Sequence, residues 1–451
     1  MTRDTTRTGP VPPIRVILIL GTLCAFPPLA TDMYLPAFAQ MARALGVGGG
    51  GIEATLSVFF IGLAVGQAIY GPLIDRYGRR KPLLIGIAIY VLTSLLSLLT
   101  TRIELFVGLR FLQAVGGCAG MIVGRAVVSD LFDERESARV LSLMMVVMTL
   151  APIVAPVLGG QILAVAGWRM IFVVMLAFGL FGALLVWFGL PETLPASRRR
   201  NDGLAGVAQG YWNLLSTRGF IAPTLVGGLA QACMFAFITG SPFVFIRLYG
   251  VGEQAYGGLF AAIAAGLILA AQGNRIALKR WSPAVLLGAA LALNAVSGAA
   301  LVAIAGYNSL AALLVPLWLS IASLGFIGAN ATTIAMAASG QHLGSASALI
   351  GVVQFGCAFL VSSLVAGHQN GTAYPMTIAI AASGLGAGLI WVVFEHTRPQ
   401  PAPAANERQR KPQKTAFRNN RRNGHRKKHH TRIKTSGMSL SPPQKEHRHD
   451  N

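Results

Sequence analysis

Twelve apolar segments, each about as long as a bilayer-spanning helix, run through most of this 451-residue chain. A helix needs about 20 apolar residues to cross the hydrocarbon core of a membrane. The predicted spans are residues 14–38, 54–73, 82–101, 103–127, 139–164, 168–190, 219–247, 255–273, 284–305, 309–333, 344–367 and 373–394. Only 12% of the residues are charged, whereas a soluble domain carries about 25%. The sequence therefore excludes a soluble globular enzyme and predicts an all-α integral membrane protein.

The twelve segments fall into two sets of six, separated by a polar stretch at residues 191–218. Their near-equal lengths predict an internal repeat, with one six-helix bundle at 1–190 and another at 219–396. Secondary transporters are commonly built from such repeats, and their substrate sites lie at the repeat interface near mid-membrane.

Basic residues are concentrated in alternate loops. Of 37 Lys and Arg, only Arg43, Arg102, Arg169 and Arg247 fall on one side of the predicted membrane, and Arg110 alone lies well inside a span. The side rich in Lys and Arg is cytoplasmic by the positive-inside rule. We therefore expect both termini and the 191–218 loop in the cytoplasm.

The last segment, residues 397–451, contains 15 Lys and Arg, 3 Asp and Glu, and no long apolar run. It has too little apolar surface to offset the entropy of ordering, so we predict a disordered cytoplasmic tail. The favoured interpretation is a solvated tail that reinforces orientation, without a nucleic-acid partner. A second interpretation is contact between the basic run at residues 426–430 and anionic lipid head groups. The alternative is a tether for nucleic acid or another partner.

Motifs for enzymatic chemistry are missing from the sequence. The four cysteines lie in apolar stretches without a CxxC pair, and no GxxxxGK[ST] or HExxH pattern occurs. We therefore expect no catalytic residue, no metal and no cofactor, and expect the chain not to be an enzyme.

Asp32 is the one acidic residue that lies well inside a predicted span, in the run Pro27 to Pro36, where prolines loosen the backbone. A charge at the bilayer centre costs about 2.5–3.5 kcal/mol even on the mildest scale. Dry surroundings favour the neutral acid and a nearby cation favours the carboxylate, so alternation between them would bind and release a proton. The other interpretation is an aspartate that only pairs with a neighbouring helix.

Arg110 and Gln113 are three residues apart on the fourth span and therefore share a helix face. Arginine keeps its charge at any relevant pH, so Arg110 cannot carry the proton itself. Two interpretations stay open: the field of Arg110 tunes the proton site, or Arg110 is a static hydrogen-bonding link between helices.

Two further segments suggest moving parts. The turn from Gly71 to Lys81 combines glycines with an acid and a basic cluster, which suits a charge-based cytoplasmic gate made of Gly71, Asp75, Arg76, Gly78, Arg79 and Arg80. The fifth span has a small-residue face with Pro152, Pro156, Gly159 and Gly160. Prolines weaken a helix, so this face predicts a bend or a sliding surface.

These motifs together resemble the major facilitator superfamily. The turn at 71–81 is similar to its signature loop, Arg110-xx-Gln113-xx-Gly116 to its fourth-helix motif, and residues 151–160 to the fifth-helix motif of drug/proton antiporters. The run Thr31-Asp32-Met33-Tyr34-Leu35-Pro36 resembles the Bcr/CflA drug-resistance subfamily. The resemblance covers residues 14–396 and leaves the tail outside.

The resemblance implies two six-helix bundles that rock about a central cavity and export drugs as protons flow in. It implies that Asp32 is the proton and cation site, Arg110 its coupling partner and Asp75 part of the gate, in the inner membrane of a bacterium. Polar residues expected in the substrate cavity are Tyr34, Gln113, Gln231, Asn330 and Gln354, since such pockets use few polar groups. The alternative within transport is proton-coupled uptake or exchange of a small metabolite. We expect a monomer.

Overall fold

The computed structural model describes residues 13–48, 50–199, 204–307, 309–339 and 343–397, so the predicted tail lies outside the described residues apart from Thr397. Their regular structure is helical throughout. The α-helices are α1 (Pro13–Cys24), α2 (Phe26–Asp32), α3 (Phe38–Ala44), α4 (Glu53–Tyr77), α5 (Arg80–Leu99), α6 (Ile103–Leu131), α7 (Glu134–Ala166), α8 (Trp168–Gly189), α9 (Leu204–Leu215), α10 (Arg218–Ser241), α11 (Glu253–Ala277), α12 (Pro283–Ile304), α13 (Leu310–Ala338), α14 (Leu343–Gly367) and α15 (Tyr374–Thr397).

The described residues contain twelve helices or helical stretches that are long and apolar enough to cross a membrane, and each matches a predicted span. The first stretch, Ile14–Ala44, combines α1 to α3, and the seventh, Arg218–Leu248, joins α10 to a π-helical segment at Pro242–Leu248. The predicted all-α membrane fold is therefore confirmed.

The first span is broken where its prolines predict. α1 ends at Cys24, and Pro27 and Pro28 fall in the first turn of α2, where a missing N–H costs nothing. α2 ends at Asp32, and a 3₁₀ turn at Leu35–Ala37 leads into α3. The carboxyl group of Asp32 thus sits at a break in the backbone within the span.

Two helix pairs form most of the contact between the first half of the fold (α1–α8) and the second half (α10–α15). α4 packs against α14, and α7 packs against α11. Within the first half, glycines let helices pack closely. A Cβ on Gly62 would lie 2.6 Å from the carbonyl oxygen of Phe111 in α6. A Cβ on Gly116 would lie 2.5 Å from the carbonyl oxygen of Gly86 in α5. These small residues therefore allow close helix contact; the boundaries of the two halves stay a prediction.

The loop at 191–218 contains an element that its polarity does not suggest. Helix α9 lies within it, and the buried Leu214 packs with Phe220, Leu349 and Ile350 of the second half. Burial of Leu214 against the second half stabilises the helix there.

Candidate functional site

Asp32 is buried, with 2% of its surface exposed. Its Oδ1 accepts no hydrogen bond from any residue that the structure describes. The neighbouring Thr31 hydroxyl donates instead to the backbone carbonyls of Pro27 and Pro28, at 3.0 and 3.1 Å. An ionised carboxylate with an unpaired oxygen is costly in a buried, apolar site, so this arrangement favours the neutral acid.

Arg110 is completely buried in α6. Its Nη2 donates a hydrogen bond of 2.6 Å to the carbonyl oxygen of Ala30, and its Nη1 donates to Oε1 of Gln113. The guanidinium carbon lies 4.3 Å from the ring centroid of Tyr34 and 4.4 Å from that of Phe59. Such cation–π contacts contribute about 2 kcal/mol when desolvated.

Asp32 and Arg110 lie in neighbouring positions of two packed helices, but they do not form an ion pair. Among the described residues, both ion pairs within 4.0 Å belong to Arg79. The link runs through the backbone, because the Ala30 carbonyl that Arg110 binds lies two residues before Asp32. This geometry fits a link between helices, while tuning of the proton site by Arg110 stays a prediction.

Gln113 and Tyr34 are both held by polar partners that sequence reasoning missed. Nε2 of Gln113 donates to the Ser94 hydroxyl of α5, at 2.7 Å. The Tyr34 hydroxyl lies 3.1 Å from the Thr55 hydroxyl of α4, which itself donates to the Ile52 carbonyl. Because these side chains are fully buried, they brace the helices around Arg110 in this arrangement.

The second half contributes Tyr256 to the surroundings of Asp32. Tyr256 lies on α11, which packs against the 3₁₀ turn that follows Asp32, and its phenolic oxygen lies 2.9 Å from the Ser241 hydroxyl. Nothing in the local sequence around Tyr256 or Ser241 marks them, because only the fold brings α11 to the first span.

Gln231 and Gln354 are half-buried on α10 and α14. Gln231 shares a helix face with Phe235, four residues later. Phe235 contacts Phe60 of the first half at a ring-centroid distance of 4.3 Å, and Phe355 of α14 at 5.9 Å. Gln231 therefore shares a helix face with one member of an aromatic cluster between the halves (Phe60, Phe235 and Phe355), and Gln354 directly precedes another member on α14.

Asn330 is buried in α13 and is bound within the second half. Its Nδ2 donates to Oδ1 of Asn274, at 2.8 Å, and to the Phe326 carbonyl, at 2.9 Å. To contact a substrate as predicted, Asn330 would have to use its amide oxygen, or its hydrogen bond to Asn274 would have to break.

A cavity of about 280 Å³ lies between α14 and the region where α4 begins. Its lining residues are Gly50, Ala54, Ser57, Val58, Ser363, Ala366 and Gly367. None of the five predicted cavity residues lines it, so their joint role in binding a substrate stays a prediction.

The fifth-span motif lies in α7, at the contact with the second half. Pro152 and Pro156 are inside the helix. A Cβ on Gly159 would overlap the Met33 carbonyl oxygen, and a Cβ on Gly160 would lie 3.0 Å from that of Glu253. The small face thus lets α7 pack against both the broken first span and α11. A bend or sliding motion at this face stays a prediction.

The turn between α4 and α5 forms a charged cluster with two segments that are distant in sequence. Arg79 bridges Asp75, at 2.7 Å, and Asp130 of α6, at 2.9 Å. The Thr193 hydroxyl also donates to Asp130, at 2.9 Å. Burial alone would lower the pKa of Arg79, but its hydrogen bonds to Asp130 and Asp75 raise the pKa above the ordinary value.

Glu192 completes this cluster at the start of α5. Its carboxylate accepts hydrogen bonds from the backbone N–H groups of Arg79, at 2.8 Å, and Arg80, at 3.2 Å. An anion is stabilised there by the helix dipole. Gly78 has a φ of +89°, and a Cβ there would overlap Glu192.

Not every residue predicted for the gate joins the cluster. Arg80 donates to the Trp187 carbonyl, at 2.6 Å. Arg76 is exposed and lies over the Tyr77 ring. Gly71 lies inside α4, and a Cβ added to it would meet nothing within 4 Å. A role of the whole segment as a gate stays a prediction.

Comparisons with known proteins agree with this architecture. Residues 18–362 match the family described as the Major Facilitator Superfamily. The chain is 34% identical over 370 residues to the uncharacterised MFS-type transporter YdgK of Bacillus subtilis, covering 80% of this chain and 91% of that protein. It is 33% identical over 374 residues to a bicyclomycin resistance protein homolog of Haemophilus influenzae, covering 81% and 92%.

A solved structure shares the fold at low sequence identity. The crystal structure of a D-xylose–proton symporter superposes with a TM-score of 0.66 at 14% identity, covering 85% of this chain and 97% of that one. The family match, the transporter relatives and the twelve apolar stretches show that the chain is a multi-pass membrane transporter and not an enzyme. It belongs to the major facilitator superfamily, within the drug-resistance subfamily that its first-span motif resembles.

Proposed function

We propose that this protein exports small, mostly apolar drugs in exchange for protons, by alternating access to a site between its two halves. The observation that carries the proposal is Asp32, a buried carboxyl group at a break in the first span, with an Oδ1 that no described residue binds. Ionisable residues inside membrane spans commonly belong to proton relays or substrate pathways. Similarity to a bicyclomycin resistance protein homolog supports an antibiotic as cargo.

In the proposed cycle, Asp32 holds a proton while it is shielded and releases it when water reaches the site. Desolvation favours the neutral acid, whereas water and the positive field of Arg110 favour the carboxylate. Arg110 stays charged throughout and does not carry the proton. Its hydrogen bond to Ala30 would couple movement of α2 to α6.

The cargo would bind beside the aromatic cluster of Phe60, Phe235 and Phe355. Burial of apolar surface is not directional, so aromatic walls accept drugs of varied shape. Gln231 and Gln354 would orient the polar groups of the drug, since pockets of this kind use few polar contacts.

The energy source, oligomeric state and membrane orientation of the transporter are part of the same proposal. The proton gradient is its energy source, without a cofactor, and a monomer is the working unit. The positive-inside bias supports both termini in the cytoplasm of a bacterial inner membrane. The basic tail would contact anionic lipids and not nucleic acid.

Drug susceptibility of cells with and without the gene tests export. We expect the gene to lower susceptibility to bicyclomycin or chloramphenicol, and Asp32→Asn to abolish this protection. Asp133→Asn is a matched control, because Asp133 accepts a hydrogen bond from the Glu136 N–H and asparagine can do the same.

Two outcomes would favour the alternatives. Unchanged susceptibility together with faster accumulation of a metabolite would favour proton-coupled uptake or exchange. A chain without residues 397–451 that still transports, but loses a bound partner, would assign a tether function to the tail.

A further inference from the structure

Arg125 is a second arginine within the span of α6. The apolar pattern ends this span at residue 127, but the helix continues to Leu131 through the polar Ser129 and Asp130. At 1.5 Å per residue, Arg125 lies roughly 9 Å before the helix end. Its side chain is nevertheless exposed, and a charge at such depth requires water or a partner.

The contacts of Arg125 place it between the two halves. Its Nη1 donates a hydrogen bond of 3.0 Å to the Ser347 hydroxyl of α14. The guanidinium therefore faces the interface between the halves, and not the surrounding lipid.

In the part of the chain that the structure describes, no acidic partner neutralises the positive charge of Arg125. Within the described part of the chain it forms no ion pair, since both pairs belong to Arg79. Acidic residues of the described spans lie in the first or last turn of their helices, except Asp32 in the broken first span. Asp32 forms no ion pair with Arg125, so among the described residues Arg125 leaves the interface between the halves positively charged.

We propose that Arg125 determines specificity by cargo charge, so that the transporter accepts neutral and anionic amphiphiles and rejects permanent cations. This inference rests on the proposed export function and adds the substrate class to it. A fixed positive charge in a partly hydrated cleft repels a cation, and this repulsion should lower its transport rate about tenfold or more relative to that of a neutral drug. The bond to Ser347 would hold the guanidinium towards the cleft, and opening of the halves would free it to bind an acceptor on the cargo.

The test uses the full-length protein in liposomes under an imposed proton gradient. Chloramphenicol is the neutral probe and tetraphenylphosphonium the cationic probe, and the measured quantity is the ratio of their transport rates. For the wild type we expect a ratio that favours the neutral probe by about tenfold or more. Arg125→Gln should lower this ratio by about the same factor, and Arg125→Lys should keep it because the charge is retained.

Ser347→Ala is the control that removes the hydrogen bond and keeps the charge. It should preserve the preference for the neutral probe. A purely structural Arg125 would change both transport rates in parallel and leave their ratio unchanged. In the wild type, higher salt should lower the ratio, because exposed charges are screened; this measurement needs no variant.

The outcomes separate the two proposals. A wild type that transports neither probe would overturn the export function and this inference with it. Drug export with an equal rate for both probes, or with a ratio that neither Arg125→Gln nor salt changes, would overturn the role of Arg125 alone. A collapse of the ratio in Ser347→Ala would assign selectivity to the hydrogen bond instead of the charge.

Discussion

Arg110 on α6 binds the carbonyl oxygen of Ala30 on α2 across 2.6 Å, two residues before the carboxyl group of Asp32. The cation and the acid are therefore connected through one short helix and not through an ion pair. Protonation of Asp32 breaks no direct bond to Arg110. Communication between them must pass through the field of the guanidinium or through movement of α2.

Replacing Arg110 with lysine tests this connection. Lysine keeps the charge but lacks the planar fork that binds Ala30 and Gln113 together. We expect transport driven by the proton gradient to fall about tenfold or more, since hydrogen bonds to charged groups contribute about 1.5–3 kcal/mol. The melting temperature in detergent should change less than transport does. An unchanged pH dependence of transport would count against a tuning role.

Replacing Gly159 with alanine tests the contact between α7 and the broken first span. The added Cβ would overlap the Met33 carbonyl, and overpacking of this kind costs about 1–3 kcal/mol. We expect a lower melting temperature and slower transport. Gly108→Ala is the matched control, because a Cβ there meets nothing within 4 Å. Equal melting temperatures of the two variants would contradict the close contact.

Replacing Asp130 with asparagine tests the charged cluster at the α4–α5 turn. The change removes the negative charge that Arg79 Nε binds at 2.9 Å, while a side-chain oxygen remains. Breaking one side of a partly buried pair should cost about 1–3 kcal/mol. We expect a lower melting temperature and altered transport, whereas Lys81→Gln, at an exposed neighbouring position, should have little effect. A fall in melting temperature as small as that of Lys81→Gln would show that the cluster contributes little to stability.

Replacing Phe235 with alanine tests the aromatic cluster as a drug-binding surface. The change removes the ring that contacts Phe60 and Phe355. Aromatic pairs contribute about 0.5–1.5 kcal/mol beyond their burial. We expect KM for an apolar drug to rise several-fold while the protons exchanged per drug stay the same. A fall in the maximal rate at constant KM would point instead to a role in movement of the halves.

The spans and the break in the first span could be predicted from sequence, because both follow from local properties. About 20 apolar residues define each span, and Pro27, Pro28 and Pro36 mark the break. Asp32 and Arg110 stand out for the same reason: an ionisable residue in an apolar run is exceptional.

Partners in distant segments could not be predicted in this way. Asp130 and Glu192 look like ordinary acids at helix ends, and only the fold brings them to Arg79. Asn274 and Thr55 are equally inconspicuous in sequence. The hydropathy pattern puts Arg125 at a span end, because that pattern stops before the helix does.

Proton release on drug binding tests the central claim most directly. Purified protein in weakly buffered detergent solution is mixed with drug near neutral pH, and the released protons are measured with a pH indicator. We predict release from the wild type and from Asp133→Asn, and none from Asp32→Asn that still binds the drug. Equal release from Asp32→Asn and the wild type would contradict the exchange of a proton on Asp32 for cargo.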